Sequence, residues 1–327
     1  MATYKGIKGV KVQSLASDPP AAQSIGQLWY NTASSVLKYS IEGAGAWASS
    51  NNTNTAVDLA GYCGIQTAAM YFGGRSAGPA TDTSETYNGT SWTETADLTS
   101  ATYQNAGFGT TTAAISAGGL PLTANTFTSN GTSWTAANDM QTSKRDIHGT
   151  GTQTAGMVAG GSPPPVNAQA VETYNGTSWT EVNNLIAPRI GIPIVGTTTA
   201  AMAIGGLGPS LPSAVVVETY DGTSWTEGAD LNEARIWAGG AGTTTLALVF
   251  AGYGGGGATT PSATGESWNG TAWSSITDLA TARTAVGSGQ ASPNTAALCF
   301  GGEGPPILQI TEEWTEPVLS TKTVTVS

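Results

Sequence analysis

Small-apolar runs that end in paired glycines recur along the chain, among them TAAMYFGG (67–74) and TAAMAIGG (199–206). Between them lie five segments in which Asn-Gly or Asp-Gly leads to tryptophan: TYNGTSW (86–92), TSNGTSW (128–134), TYNGTSW (173–179), TYDGTSW (219–225) and SWNGTAW (267–273). Asn-Gly or Asp-Gly between two aromatic-bearing runs is the strongest short hairpin signal, because a type I′ turn needs positive φ at both central residues. The pattern predicts short strands throughout, with the Gly-Gly runs buried. The closing tryptophans Trp92, Trp134, Trp179, Trp225 and Trp273 stand 42 to 48 residues apart, so the unit is a repeat.

Other landmarks keep the same period. Paired glycines fall at Gly73-Gly74, Gly118-Gly119, Gly160-Gly161, Gly205-Gly206 and Gly301-Gly302, with Ala251-Gly252 as a degenerate copy. An acidic or amide residue followed by an aliphatic one comes soon after each tryptophan: Asp97-Leu98, Asp139-Met140, Asn184-Leu185, Asp230-Leu231 and Asp278-Leu279. Asp58-Leu59, downstream of Trp47, is a sixth copy. Arginine follows at Arg145, Arg189, Arg235 and Arg283. Four short strands in about 45 residues fit one propeller blade.

The blade count depends on the chain ends. The sixth Gly-Gly run (295–302) is followed by a strand from Ile310 to Glu316, with Trp314 in the aromatic position, but by no Asn-Gly turn. The missing outer strand is at the other end, in GAGAWASS (43–50), which carries Trp47. Residues 43–50 are therefore predicted to pair with 309–316, and Trp47 and Trp314 to close the ring without a covalent bond. That pairing removes the sheet edge at the seam. A seventh blade would need SIGQLWYN (24–31) and VLKYS (36–40), but Tyr30 and Tyr39 are too close for the repeat.

This ordered set of landmarks, spanning residues 37–316, resembles the kelch repeat. The match includes the Pro188-Arg189 start, the Gly-Gly doublets, Tyr87, Tyr174 and Tyr220, and the tryptophans. It departs where blade five lacks a full Gly-Gly, where Phe127 stands for tyrosine, and where the first two blades lack arginine. No Trp-Asp dipeptide supports a WD40 reading. The expected fold is all-β: a six-bladed kelch-type β-propeller closed by an N-terminal outer strand, with an N-terminal extension.

Composition agrees. Charged residues are 10% of the chain, against roughly 25% in ordinary soluble domains. Glycine and threonine fill the gap and suit turns and strands, which excludes a mainly helical protein. A net charge of -11 argues against nucleic-acid binding, since an acidic surface repels phosphate. No apolar stretch approaches the ~18–20 residues of a membrane span, and MATYKGIKGVKVQSL lacks a signal-peptide core. The expectation is a soluble product that folds in a cytosol.

Three segments are predicted: an arm and short hairpin (1–36), the propeller (37–316) and a C-terminal tail strand (317–327). In the arm, Lys5, Lys8 and Lys11 precede the first acid, Asp18, and Ile7, Val10 and Val12 are interleaved with them. Lys5, Ile7, Lys8, Val10 and Lys11 are the candidate partner-docking residues. GQLWYNTASSVLKYS (26–40) alternates like a hairpin, and STKTVTVS (320–327) like an edge strand open to a neighbour.

A second resemblance is carried by GQLWYNTASSVLKYS…GAW (26–47), which looks like a short segment common in bacteriophage tail and fibre proteins. The low-charge Thr/Gly/Ala-rich repeats resemble those of virion proteins of marine phages, cyanophages especially. It implies a non-enzymatic virion structural protein: a tail- or fibre-associated attachment component, assembled in the host cytoplasm. Its partners would be other virion proteins through the arm, a second copy of the chain, and a host surface glycan or receptor. The alternatives are a capsid decoration or neck protein, and a propeller carbohydrate-active enzyme of sialidase type.

Catalytic chemistry has little to draw on, and no cofactor or metal is implied. His148 is the only histidine, so a Ser-His-Asp, Cys-His or zinc site could form only around it, and it falls in an inner-strand stretch. A sialidase-like site needs converging arginines, a tyrosine nucleophile and acids. Here the arginines recur one per blade, as do Glu85, Glu172, Glu218, Glu266 and Glu312, which suits bonding to loop carbonyls and blade acids. Asn-Gly-Thr at Asn88, Asn130, Asn175 and Asn269 reads as turns rather than glycosylation sequons. Cys63 and Cys299 are expected to be free buried thiols. The loops after Gly-Gly vary most, and variable loops on a rigid scaffold are where recognition lives.

Overall fold

The computed structural model describes residues 12–19, 27–42, 45–76, 78–162, 168–208, 214–254, 260–304, 306–316 and 319–324. The chain divides into a large unit of residues 47–315 and a small unit built from residues 1–46 and 316–327.

The large unit holds six four-stranded sheets. The first runs Gly61–Ile65, Ala68–Phe72, Ser84–Tyr87, Trp92–Glu94, and the second Ala106–Thr110, Ala113–Ala117, Thr126–Ser129, Trp134–Ala137. The third is His148–Thr152, Ala155–Ala159, Val171–Tyr174, Trp179–Val182, and the fourth Ile194–Thr197, Ala200–Ile204, Val217–Tyr220, Trp225–Glu227. The fifth is Gly239–Gly242, Ala247–Phe250, Gly265–Trp268, Trp273–Ile276. The sixth takes Gly287–Ser288, Leu298–Phe300 and Thr311–Thr315 from the end of the chain and Ala46–Ser50 from its beginning. First strands of successive sheets touch in chain order, and Gly287–Ser288 touches Gly61–Ile65. The cycle therefore closes, in a propeller-like repeat.

One aromatic pair recurs across the third and fourth strands. Tyr87–Trp92, Tyr174–Trp179 and Tyr220–Trp225 each have ring centroids 5.0 Å apart, and Trp268–Trp273 are 5.3 Å apart. In the closing sheet Trp47 and Trp314 lie 5.6 Å apart, and Trp47 meets Phe250 of the fifth sheet edge-on at 4.8 Å. The outer tryptophans of the first five sheets also tie each of them to the one before. Trp92 donates to Thr311, Trp179 to Thr126, Trp134 to the Ala96 carbonyl, Trp225 to that of Asn183 and Trp273 to that of Ala229. These five indole N–H groups thus find partners at the neighbouring sheet, whereas the Trp47 and Trp314 indoles in the closing sheet make no such bond among the described residues.

The doublet glycines take positive φ, from 59° to 69° at the first position of Gly73, Gly118, Gly160, Gly205 and Gly301. Ala251 accepts the same left-handed conformation at 59° in the degenerate copy. The second glycine is sterically bound: a Cβ on Gly206 would sit 2.0 Å from Ile192 Cγ2. The doublet turns the chain where neighbouring sheets approach most closely.

The small unit is a sheet in the order Gln13–Leu15, Leu28–Asn31, Val36–Glu42, Leu319–Thr323. Its central hairpin is the alternating segment read from the sequence. Asp18 accepts from Trp29 Nε1, Asn31 Nδ2 and Lys38 Nζ, and the Lys38 contact leads in holding its carboxyl below the ordinary value. The tail strand pairs with Val36–Glu42 of its own chain, where its alternation had suggested a neighbour. The predicted boundary at residue 37 falls inside this sheet, ten residues before the large unit begins.

Two details of the repeat change register. Trp134 pairs with Ser129, so serine takes the tyrosine position of the second sheet and Phe127 occupies the glutamate position. The recurring cation before the third sheet is Lys144, not Arg145: the Lys144 carbonyl accepts from Gly119 as that of Arg189 does from Gly161.

Candidate functional site

Between sheets, the chain leaves an outer strand and enters the next first strand through a connector. These connectors and the loops after Gly-Gly share one face, because successive strands are antiparallel. The connectors hold most of the buried charge. Arg189 donates to the Gly205 and Val216 carbonyls and to Glu218 at 2.7 Å, and Glu218 also accepts from the backbone of Ile186 and Ala187. Arg283 does the same with Gly301, Ile310 and Glu312, and Arg235 with Ala251, Thr264 and Glu266. Lys144 meets Glu172 at 3.1 Å. Burial pulls the Arg189, Arg235 and Lys144 cations below their ordinary pKa values, and their glutamates oppose it.

The other two connectors do without a cation. Before the second sheet Thr102 stands in the cation position opposite Phe127, so both charges are gone together. Before the first sheet Val57 stands there, and Glu85 instead accepts from the Tyr71 hydroxyl and the backbone of Asn54 and Thr55. The predicted bonding of arginines to carbonyls and blade acids is what the structure contains. Arg189, Arg235 and Arg283 each stay in a separate connector. Arg75 is bound bidentately by Asp58 at 3.0 and 2.7 Å, with Tyr103 under its guanidinium at 5.8 Å.

Two residues beyond each cation position, the connector reaches the ring axis in a left-handed conformation: Leu59, Gln104, Asp146, Gly191, Trp237 and Ala285, with φ between 51° and 61°. Five of the six are not glycine, and such residues rarely adopt this conformation. Backbone hydrogen bonds hold them: Gln104 donates to Leu59, Leu59 to Ala285, Ala285 to Trp237, Trp237 to Gly191 and Gly191 to Asp146. Around the axis, then, the repeat fixes the backbone and leaves the side chain free to vary. Asp146, Gln104, Trp237 and His148 line a cavity of about 20 Å³ there. Burial raises the Asp146 pKa, with Arg145 opposing it from 3.9 Å. On the opposite face the mouth of the ring, about 270 Å³, is lined by glycines such as Gly64 and Gly151 and threonines such as Thr150 and Thr243.

His148 starts a first strand, where Gly61, Ala106 and Gly239 stand in other sheets. The sequence aligns His148 with Ala106, Ile192, Ala238 and Val286; Ala106 does hold this place, and the other three fall one residue short of it. Its Nδ1 lies 2.8 Å from the Ile192 carbonyl, which requires a proton on Nδ1 and leaves Nε2 as an acceptor. Desolvation lowers its pKa to about 4. As the only histidine it gives a single ring resonance, expected to titrate with a midpoint near 4. The unfolded chain binds this proton from about 6.5 downwards. Stability present above that pH therefore falls as the pH is lowered towards 4, and the His148→Gln protein should lack that component.

The candidate docking residues Lys5, Ile7, Lys8, Val10 and Lys11 lie outside the described residues. Trp47 and Trp314 meet in the closing sheet, and Cys63 and Cys299 are buried free thiols whose pKa burial raises. Among the described residues no group of three or more His, Cys, Asp or Glu side chains could hold a metal ion, and no helix is long and apolar enough to cross a membrane. Sequence reading passed over the axial residues. Their signal was the position two past the cation, where residue type changes in every copy while the surroundings repeat. The chain matches no protein-family model and no curated protein, so its function has to be read from its own residues.

Proposed function

We propose that this chain is a six-bladed kelch-type propeller serving as a non-enzymatic attachment component of a virion, tail- or fibre-associated, in a marine phage. The observation that carries the scaffold half of this reading is the fate of the charged residues. Arg189, Arg235, Arg283 and Lys144 are buried in connectors and bonded there to glutamates of the third strands, which suits stability rather than turnover. Non-repeating side chains gather on the connector face, at the axis and in the loops after Gly-Gly, as expected of a surface that recognises something. The virion half rests on the resemblance of residues 26–47 and of the low-charge repeats.

In this reading the basic arm docks the protein on another virion protein or a second copy, and the connector face meets a host glycan or receptor. Antibody labelling of intact particles should place the protein on the tail or its fibres. Labelling confined to the capsid, or absence from purified particles, overturns the assignment. Removing residues 1–20, or reversing Lys5, Lys8 and Lys11 to glutamate, should reduce incorporation into particles, with the greatest sensitivity at low salt. Unchanged incorporation would remove the arm from the proposal.

A further inference from the structure

Two carboxylates on the connector face are additional to what the repeat uses. Arg189 and Arg283 each meet one glutamate, but Arg235 meets two, Glu266 at 3.5 Å and Glu233 at 3.3 Å. Glu233 has no counterpart: two residues before the cation position, other connectors carry Thr55, Ser100, Thr142, Ala187 and Thr281. Arg75 is likewise bound by Asp58 at 2.7 Å and has Glu303 as a second acid at 3.8 Å. Glu303 follows its glycine doublet where Leu120, Ser162, Leu207 and Tyr253 follow theirs. The Glu233 and Glu303 side chains are 50% and 43% exposed, each beside an arginine that is already paired.

Apolar surface joins the two. Ala234, next to Glu233 in the chain, packs with Leu207, Trp237 and Tyr253 over Ala214 and Ile236, and these four stay part-exposed. Trp237 and Tyr253 meet edge-on at 5.8 Å, and the Trp237 N–H bonds to Asp146, which fixes the indole. Burial, and after it the nearby Glu303 charge, raises the pKa of the Tyr253 hydroxyl. A cleft of about 540 Å³ opens beside Ala234, with Glu233 as the charged side chain of its wall.

Such a surface suits a segment that interleaves aliphatic residues with cations. Exposed carboxylates attract lysine, aromatic rings add cation–π attraction, and the apolar floor takes aliphatic side chains. An anionic segment would meet like charge. Lys38 and Lys144 are already paired, with Asp18 and Glu172. The arm has the required character: Lys5, Lys8 and Lys11 alternate with Ile7, Val10 and Val12 ahead of any acid, and Val12 is 37% exposed.

We propose that residues 5–12 of one copy dock on the connector face of a second copy, lysines towards Glu233 and Glu303 and aliphatic residues against Leu207, Trp237 and Tyr253. This rests on the arm docking of the attachment reading and names its partner as a second copy. The loops over the other sheets stay open to a host.

The test is sedimentation velocity on the full chain and full-chain variants. The parent should self-associate with Kd on the order of 10 μM and dissociate as salt rises. Reversing Lys5, Lys8 and Lys11 to glutamate, or Glu233 and Glu303 to lysine, should each weaken association about tenfold or more. Mixing these two variants should restore it, because each arm then meets an oppositely charged face. The neutral pair Glu233→Gln, Glu303→Gln should also weaken association, and decides the matter if the lysine pair fails to fold. Glu94→Lys, on an exposed outer strand, should change little. A monomeric parent, variants that associate like the parent, folded variants that stay apart when mixed, or an equal loss from Glu94→Lys overturns the docking. Tail labelling of a monomeric protein would sink the docking and spare the attachment reading. Charge-swapped association of a protein absent from particles would do the reverse.

Discussion

Replacing Glu218 by alanine should destabilise the protein by about 3–5 kcal/mol, read as a lower denaturant midpoint, because it strands the Arg189 cation in the interior. Arg189 is 0% exposed, and its remaining partners, the Gly205 and Val216 carbonyls, carry only partial charge. The second sheet shows what removes the penalty: Thr102 and Phe127 occupy the same two positions without any charge. The double variant Arg189→Thr, Glu218→Phe should therefore recover most of the loss. The amides of Ile186 and Ala187 would lose their acceptor, but Ile186 is 54% exposed and water can serve there. A double variant as unstable as the single one would mean that the pair is held by shape and not by charge.

The second large effect is expected at the seam. Removing residues 1–50 takes the outer strand from the sixth sheet and uncovers the edge of Thr311–Thr315. It also removes Trp47 from between Phe250 and Trp314. Losing an aromatic of this size from a packed site costs about 3–5 kcal/mol, and an open strand edge invites pairing with other chains. A chain lacking only residues 1–45 keeps Ala46–Ser50 and should keep most of this stability. Equal melting temperatures and equal monomer content for the two truncations would show that Ala46–Ser50 does not close the ring.

Much of this architecture was legible because the repeat ties residue type to backbone shape. The Gly-Gly doublets mark positive φ, the Asn-Gly pairs mark turns, and a tryptophan without a hairpin at each chain end pointed to the closing strand. Legibility failed where the environment, not the residue, decides. Lys144 and Arg145 are adjacent cations, and only burial selects Lys144 for the glutamate. Phe127 looked like a replaced tyrosine because both are aromatic, but pairing puts it two residues earlier. The axial residues were invisible for a stronger reason. Leu59 and Trp237 have no intrinsic taste for a left-handed backbone; the hydrogen bonds around the axis impose it. The tail read correctly as a strand, yet its partner lies about 280 residues away, beyond the reach of any local pattern.

The closing strand also sets a timetable for the molecule's birth. Ala46–Ser50 is synthesised before every other strand of the six large-unit sheets, and Thr311–Thr315 emerges about 260 residues later. At ~5–20 residues per second the first strand waits roughly 15–50 s for its partner. Through that interval the growing chain can complete five sheets in order, each against the last, but cannot finish the sixth. A message truncated between Ile276 and Thr311 would release an open arc of five sheets, with a bare edge at one end and an unclaimed strand at the other. No such fragment carries Thr311–Thr315, so none can claim another's Ala46–Ser50 in the native pairing, and interrupted synthesis should yield chains whose bare edges invite aggregation instead of ring closure.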